Sequence, residues 1–229
     1  MVKVASVNLT ERYGSMTPKS WEELVPSGDL LTSLSDVDVI CIQGRKPVYP
    51  RSNSVTEDQY RQRFSQFADA LMLGFETWLR AAFVSSETDF FSVIIHYGNV
   101  TSANYIGGSP YALDCIYPLK DSTFEVVSCY APNSTVGNKH YWDEINRILK
   151  QNRKVIIVGA IVSDPNTIPN TIDEYNQTSH DLDTPHSPLI TIDRTHSILF
   201  GANRSINDFK YHSYHYDQDP TNFVFIIDV

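Results

Sequence analysis

Long apolar runs and basic charge are both scarce in this chain, and each shortage closes a class of function. No stretch approaches the roughly 20 consecutive apolar residues that a helix needs to cross a bilayer, so no membrane role is expected. Lys and Arg number 18 against 27 Asp and Glu, a formal net charge of -9. Duplex binding works by neutralising phosphates with basic side chains, so sequence-independent nucleic-acid binding is disfavoured, although an acidic body can carry a local basic groove. Cysteine is limited to Cys41, Cys115 and Cys129, each inside an apolar segment, which suits buried thiols in a reducing compartment. The start, Met1-Val2-Lys3-Val4-Ala5-Ser6-Val7, reads as strand rather than signal peptide. The sequon Asn133-Ser134-Thr135 then carries no weight, because glycosylation requires secretion. The expectation is an intracellular protein of cytoplasm or nucleus.

Hydrophobic residues make up 41% and charged residues 20%, the balance of an ordinary globular chain. Nothing among the 229 residues reads as a linker or an internal repeat, so 1–229 is taken as a single domain. Val2 to Leu9 alternates and reads as a strand. Thr17-Pro18 looks like a capped helix start leading through Trp21 to Leu24, and Leu30, Leu31 and Leu34 suit a second short helix. Asp38-Val39-Ile40-Cys41-Ile42-Gln43 is a continuous apolar run, as expected of a central strand covered on both faces. Gly44 to Asn53 reads as a basic loop, and Tyr60, Phe64, Phe67, Ala68 and Leu71 give an amphipathic helix within Glu57 to Leu73.

Further strands are expected at Phe90 to Tyr97, Val100 to Ile106, Leu113 to Leu119 and Phe124 to Tyr130, followed by a helix from Tyr141 to Lys150. Lys154-Val155-Ile156-Ile157-Val158-Gly159-Ala160 reads as a buried strand entering a turn at Ile161-Val162-Ser163-Asp164. Pro165 to Pro188 is a long polar loop, and Ser197 to Phe200, Tyr211 to Tyr216 and Phe223 to Val229 complete the strands. Many strands with few helices imply an α/β (α+β) protein in which two mixed sheets pack face to face with helices outside.

Several local words recur along this order. Ala5-Ser6-Val7-Asn8 closes the first strand, and Asp38-Val39-Ile40-Cys41-Ile42-Gln43 runs on into Gly44-Arg45-Lys46. Cys129-Tyr130-Ala131-Pro132-Asn133, Gly159-Ala160-Ile161-Val162, Thr195-His196-Ser197-Ile198-Leu199 and Gln218-Asp219-Pro220 follow. Together the six resemble the motifs of the endonuclease/exonuclease/phosphatase family, DNase I-like, in the flavour of the apurinic-type endonuclease domains of non-LTR retrotransposons. The resemblance implies a four-layered α/β sandwich and a Mg-dependent phosphoesterase site built on Asn8, Tyr130 and Asn133.

The same resemblance identifies what is missing. Gly44 stands where the family has its metal-binding Glu, Ala160 and Val162 replace an Asp and an Asn, and Pro220 replaces the catalytic His beside Asp219. The fifth word puts Ser197 at an Asp position, and a shifted alignment offers Asp193 instead. Phosphodiester cleavage needs a hard cation held by oxygen ligands, a polarised water and a proton donor. Glycine, alanine, valine and proline side chains supply none of these, and losing several groups that act as a unit leaves little rate. The expected reading is a pseudoenzyme with no cofactor, serving as a structural or protein-interaction module that binds another protein or further copies of itself. Two alternatives stay open: a site rebuilt around Mg by Asp164, Asp193, Asp219 or the acids Asp181 and Asp183, and a binder that holds nucleic acid without cleaving it.

Simpler readings account for the remaining candidates. Asn8, Tyr130, Asn133 and Asp219 are also ordinary turn and core-rim residues. His212 and His215 lie three apart on an expected strand, so they would face opposite sides rather than share a metal. Arg45, Lys46, Arg51, Arg61 and Arg63 suit a solvated loop and helix face, and Gly107-Gly108 lacks the strand–helix setting of a phosphate loop.

Overall fold

The computed structural model describes residues 2–9, 18–26, 28–47, 55–73, 75, 78–84, 89–96, 102–105, 112–119, 122–130, 139–151, 154–161, 190–191, 197–200, 210–215 and 223–228. The first sheet contains β1 (Lys3–Asn8), β2 (Val39–Arg45), β3 (Leu79–Val84), β4 (Phe90–His96), β11 (Lys210–His215) and β12 (Phe223–Asp228). Its order is β11-β12-β1-β2-β4-β3. The second sheet contains β5 (Ser102–Tyr105), β6 (Ala112–Leu119), β7 (Ser122–Tyr130), β8 (Val155–Ala160), β9 (Ile190–Thr191) and β10 (Ser197–Phe200), in the order β5-β6-β7-β8-β10-β9.

Each sheet has one parallel pair near its centre, β1 with β2 and β7 with β8, flanked by antiparallel neighbours. Parallel pairing needs a crossover, and α3 (Lys139–Gln151) lies in sequence between β7 and β8. The apolar run read as a central strand is central, with Val39 to Gly44 of β2 buried, the strand read as buried is so along all of β8, and every residue of β4 is buried as well. Cys41 and Cys129 are buried on two of these inner strands.

The outer face of the first sheet is covered by α1 (Gly28–Ser33) and α2 (Glu57–Ala70), around a core that includes Val7, Ile42, Phe91, Val93 and Val224. Trp21, 2% exposed, is the hub of that core, with ring centroids 5.1 Å from Phe67, 5.2 Å from Phe64 and 5.3 Å from Phe91. Aromatic pairs at such spacings add about 0.5–1.5 kcal/mol each beyond their burial. The start of α2 is set locally by Thr56, whose side chain accepts from the Gln59 amide while Gln59 reaches back to the Thr56 N–H. That reciprocal capping box leaves fewer orphan amides in the first turn.

Several expectations need correction. The segment from Pro18 to Leu24 holds only a 3-10 turn, Glu22–Leu24, with Trp21 before it offering no side-chain cap. Val25 is extended (φ -63°, ψ 119°), as a residue preceding a proline is driven to be, and Pro26 thereby ends the turn. Gly44 and Arg45, read as loop, continue β2 because both pair with β4, opposite Phe91 and Phe90. Strand β3 was not anticipated, and neither was the two-residue β9. The expected polar loop 165–188 and the Gly107-Gly108 turn lie outside the described residues. Among the described residues no helix is long and apolar enough to cross a membrane.

Candidate functional site

The two central parallel pairs bring the motif positions to strand ends. Asn8 ends β1 beside Gln43 of β2, Gly44 follows on β2, and Tyr130 and Ala160 are paired at the ends of β7 and β8. Strands β1 and β2 pack against β8, so the two pairs meet across the seam between the sheets. Asn8 (3% exposed) and Ala160 (6%) are both buried, as is Gly44.

Chemistry at these four positions is thin. Asn8 offers an amide and Tyr130 a phenol, whereas Gly44 and Ala160 have no side-chain oxygen. The oxygen shell that Mg requires is therefore not made by these residues, and no step through a metal follows from them. Among the described residues no group of three or more His, Cys, Asp or Glu stands together as a metal site. Asn133, Val162, Asp164, Asp181, Asp183, Asp193, Asp219 and Pro220 lie outside the described residues. Ser197 heads β10 directly opposite Gly159, next to Ala160.

Directly beneath the strand ends is a polar seam that sequence reading missed. Gln43 is fully buried, and its amide has satisfied bonds when Nε2 donates to the carbonyls of Cys41 (3.0 Å) and Val7 (3.1 Å) and Oε1 accepts from Ser6 Oγ (2.8 Å). Ser92 Oγ donates to Ser128 Oγ at 2.7 Å, a bond that crosses from the first sheet to the second. Gly159 sits at φ +122°, where a Cβ would run into the Cys129 carbonyl and the amide end of Gln43. A glycine is required there both by backbone conformation and by contact. The available signal was a serine interrupting an apolar strand, at Ser6, Ser92 and Ser128.

Aromatic rings line the same end of the seam. Phe90 stacks on Tyr130 (5.7 Å between centroids, 28° between planes), and Phe83 follows at 6.1 Å from Phe90. Just past β2, the Lys46 Nζ lies 5.7 Å from the Tyr60 ring centroid. Burial holds its amine below the usual lysine range, against the pull of Asp89 and Glu57. On α2 Arg61 pairs with Glu57 at 3.2 Å between exposed side chains, as a solvated helix face would. His212 and His215 fall three positions apart on β11, opposite Ile226 and Phe223.

At the opposite pole of the first sheet, Lys3 bonds to Asp36, which raises the lysine pKa, and the Lys3 N–H donates to Asp38 at 2.9 Å. His96, 3% exposed, ends β4 there opposite Val39 and Leu79, with its Nδ1 unsatisfied among the described residues. Burial lowers its pKa.

No family model matches the chain, and no curated protein matches it by sequence. Similarity appears in three dimensions. An endonuclease/exonuclease/phosphatase family protein from Leptotrichia buccalis superposes at TM-score 0.62 with 12% identity, over 100% of this chain and 99% of that one. The endonuclease domain of TRAS1, a telomere-specific non-LTR retrotransposon, gives 0.58 with 8% identity, over 99% and 96%. A humanized D. rerio TDP2 gives 0.56 with 8% identity, over 100% and 99%. Identities this low establish shared architecture: two mixed sheets in an α/β sandwich of the DNase I-like type.

Proposed function

We propose that this chain, which has the endonuclease/exonuclease/phosphatase fold, is a catalytically inactive module of that architecture and serves as a structural or protein-interaction part. The observation that carries the reading is the chemistry of two buried positions. Gly44, within β2, and Ala160, at the end of β8, occupy places where the resembling motifs carry a metal-binding Glu and an Asp. A methyl group or a hydrogen there binds no cation and accepts no proton. Around them the backbone is kept: Gln43, Ser6 and Gly159 hold the strand ends together. A scaffold maintained around a vacated chemistry is what an interaction role would retain.

Net acidity also fits a protein partner better than a nucleic-acid strand. The test is incubation of purified protein with abasic-site duplex and supercoiled plasmid in Mg²⁺ or Mn²⁺. No cleavage above a buffer control is expected. EDTA-sensitive cleavage that copurifies with the chain overturns the reading in favour of a metal site rebuilt from Asp164, Asp193 or Asp219.

A further inference from the structure

Every open sheet has two edges, and an exposed edge is a template for another strand unless something guards it. Among the described residues three of the four edges differ from the fourth. Among the described residues β9 has two and β5 has four, a short template for pairing. β11, Lys210-Tyr211-His212-Ser213-Tyr214-His215, opens with an exposed lysine, a charge that blunts an edge. The fourth edge, β3, is Leu79-Arg80-Ala81-Ala82-Phe83-Val84, without proline or lysine. Among the described residues no strand pairs with its outer side. Its one charge is turned away from the edge, because Arg80 bonds Asp69 at 2.7 Å and Ser65 at 3.2 Å on α2.

Leu79 is the second odd feature, with 59% of its surface exposed at the start of this strand. By strand alternation Leu79, Ala81 and Phe83 share one face, the face on which Phe83 meets Phe90. From this combination we infer that β3 is a self-association edge, pairing antiparallel with β3 of a second copy about a two-fold axis at Ala81. That register puts Leu79 of each copy opposite Phe83 of the other, so the exposed leucine gains an aromatic neighbour. Arg80 falls opposite Ala82 rather than opposite its own counterpart, so like charges do not face each other. Ala81 meets itself on the axis, where small side chains let two backbones approach. A two-fold contact of this kind is closed and self-complementary.

The inference deepens the proposed function by naming a second copy of this chain as the partner, and it rests on that function for its biological role. Sedimentation equilibrium of the full chain should show a mass rising with concentration from 26.0 kDa toward twice that value. Leu79→Lys changes an exposed side chain and should weaken association by about tenfold or more, since a charge on an edge strand blocks pairing. Leu73→Lys alters a still more exposed leucine (76%) in the turn after α2 and should leave association unchanged. Ala81→Cys should form a disulfide-linked dimer under mild oxidation, because opposed antiparallel residues sit within disulfide reach. A wild-type chain that stays at single-chain mass at its solubility limit overturns the inference. So does a Leu79→Lys variant that associates like wild type, or a Leu73→Lys variant that dissociates equally. A monomer that does not cleave DNA removes only the pairing, whereas a dimer that cleaves it removes only the inactivity.

Discussion

The two faces of the first sheet solve different problems. Its outer face is held by volume: Trp21, Phe64, Phe67 and Phe91 interlock, and neighbouring aliphatic side chains fill the rest. The inner face adds geometry to burial: among buried Val4, Val39, Ile94 and Phe225 stand the polar groups Ser6, Gln43 and Ser92, whose partners lie on their own or adjacent strands or across the seam at Ser128. A volume-held face tolerates exchange of one hydrophobe for another of similar size. A face held by hydrogen bonds and one close backbone approach does not, because each broken partner leaves a buried polar atom unsatisfied. Asn8, Tyr130 and Ala160 lie at the end of this second face, so the seam constrains them, whereas Gly44 alternates to the outer side, opposite Phe91.

Substitutions can sharpen or break that contrast. Trp21→Ala should cost the most, about 3–5 kcal/mol by urea denaturation, since it empties the hub of the outer core. Gly159→Ala should cost about 1–3 kcal/mol despite adding a single methyl, because φ +122° and the Cys129 carbonyl both oppose it. A neutral Gly159→Ala would mean a seam looser than the Cys129 carbonyl contact implies. Ser128→Ala removes the partner of Ser92 and should cost about 1–3 kcal/mol, at the lower end where Ser92 keeps its 3.4 Å contact with the Ile42 carbonyl.

Thr56→Ala, outside both faces, should cost about 1 kcal/mol through loss of the α2 cap. Arg61→Ala should change stability by under about 1 kcal/mol, as an exposed pair allows.

Acid sensitivity tests the seam from its other end. The folded pKa of His96 lies below its ordinary 6.5 because burial penalises the cation. Above that ordinary value both states are neutral and the group has no effect. As pH falls below it the unfolded chain binds a proton that the folded one refuses, so stability drops until the folded pKa is reached. Melting temperature measured from pH 7.5 downward should therefore fall more steeply in wild type than in His96→Gln. Parallel curves would place a compensating acid beside the imidazole.

Much of the fold was legible because buried central strands announce themselves. Val39 to Ile42 and Val155 to Ala160 are unbroken apolar runs, Phe90 to Ile95 is broken only by Ser92, and all three lie inside their sheets. Strand β3 was not legible: Leu79-Arg80-Ala81-Ala82-Phe83-Val84 has neither clean alternation nor β-branched enrichment. Its conformation is imposed by pairing with β4 and by the Arg80–Asp69 tie. The segment Thr17 to Leu24 reads as a helix start from its capping signals, but among the described residues only the 3-10 turn Glu22–Leu24 forms, stopped at Val25 by Pro26. At the candidate site, the residue types of Asn8, Gly44, Tyr130 and Ala160 were readable, but the role of Gln43 was not. A glutamine ending an apolar run gives no hint that its amide will lie against a glycine on the other sheet.

What the sequence determined alone is composition at each motif position. Glycine at 44 and alanine at 160 lack oxygen donors in any fold, so that chemical statement needs no coordinates. What tertiary structure decided is juxtaposition: Gln43 against Gly159, Ser92 against Ser128, and β3 and β11 at the two edges of the first sheet. These depend on strand order and register between segments far apart in the chain. No local window of residues encodes them, because the energy that selects them is released only when the two sheets close on each other.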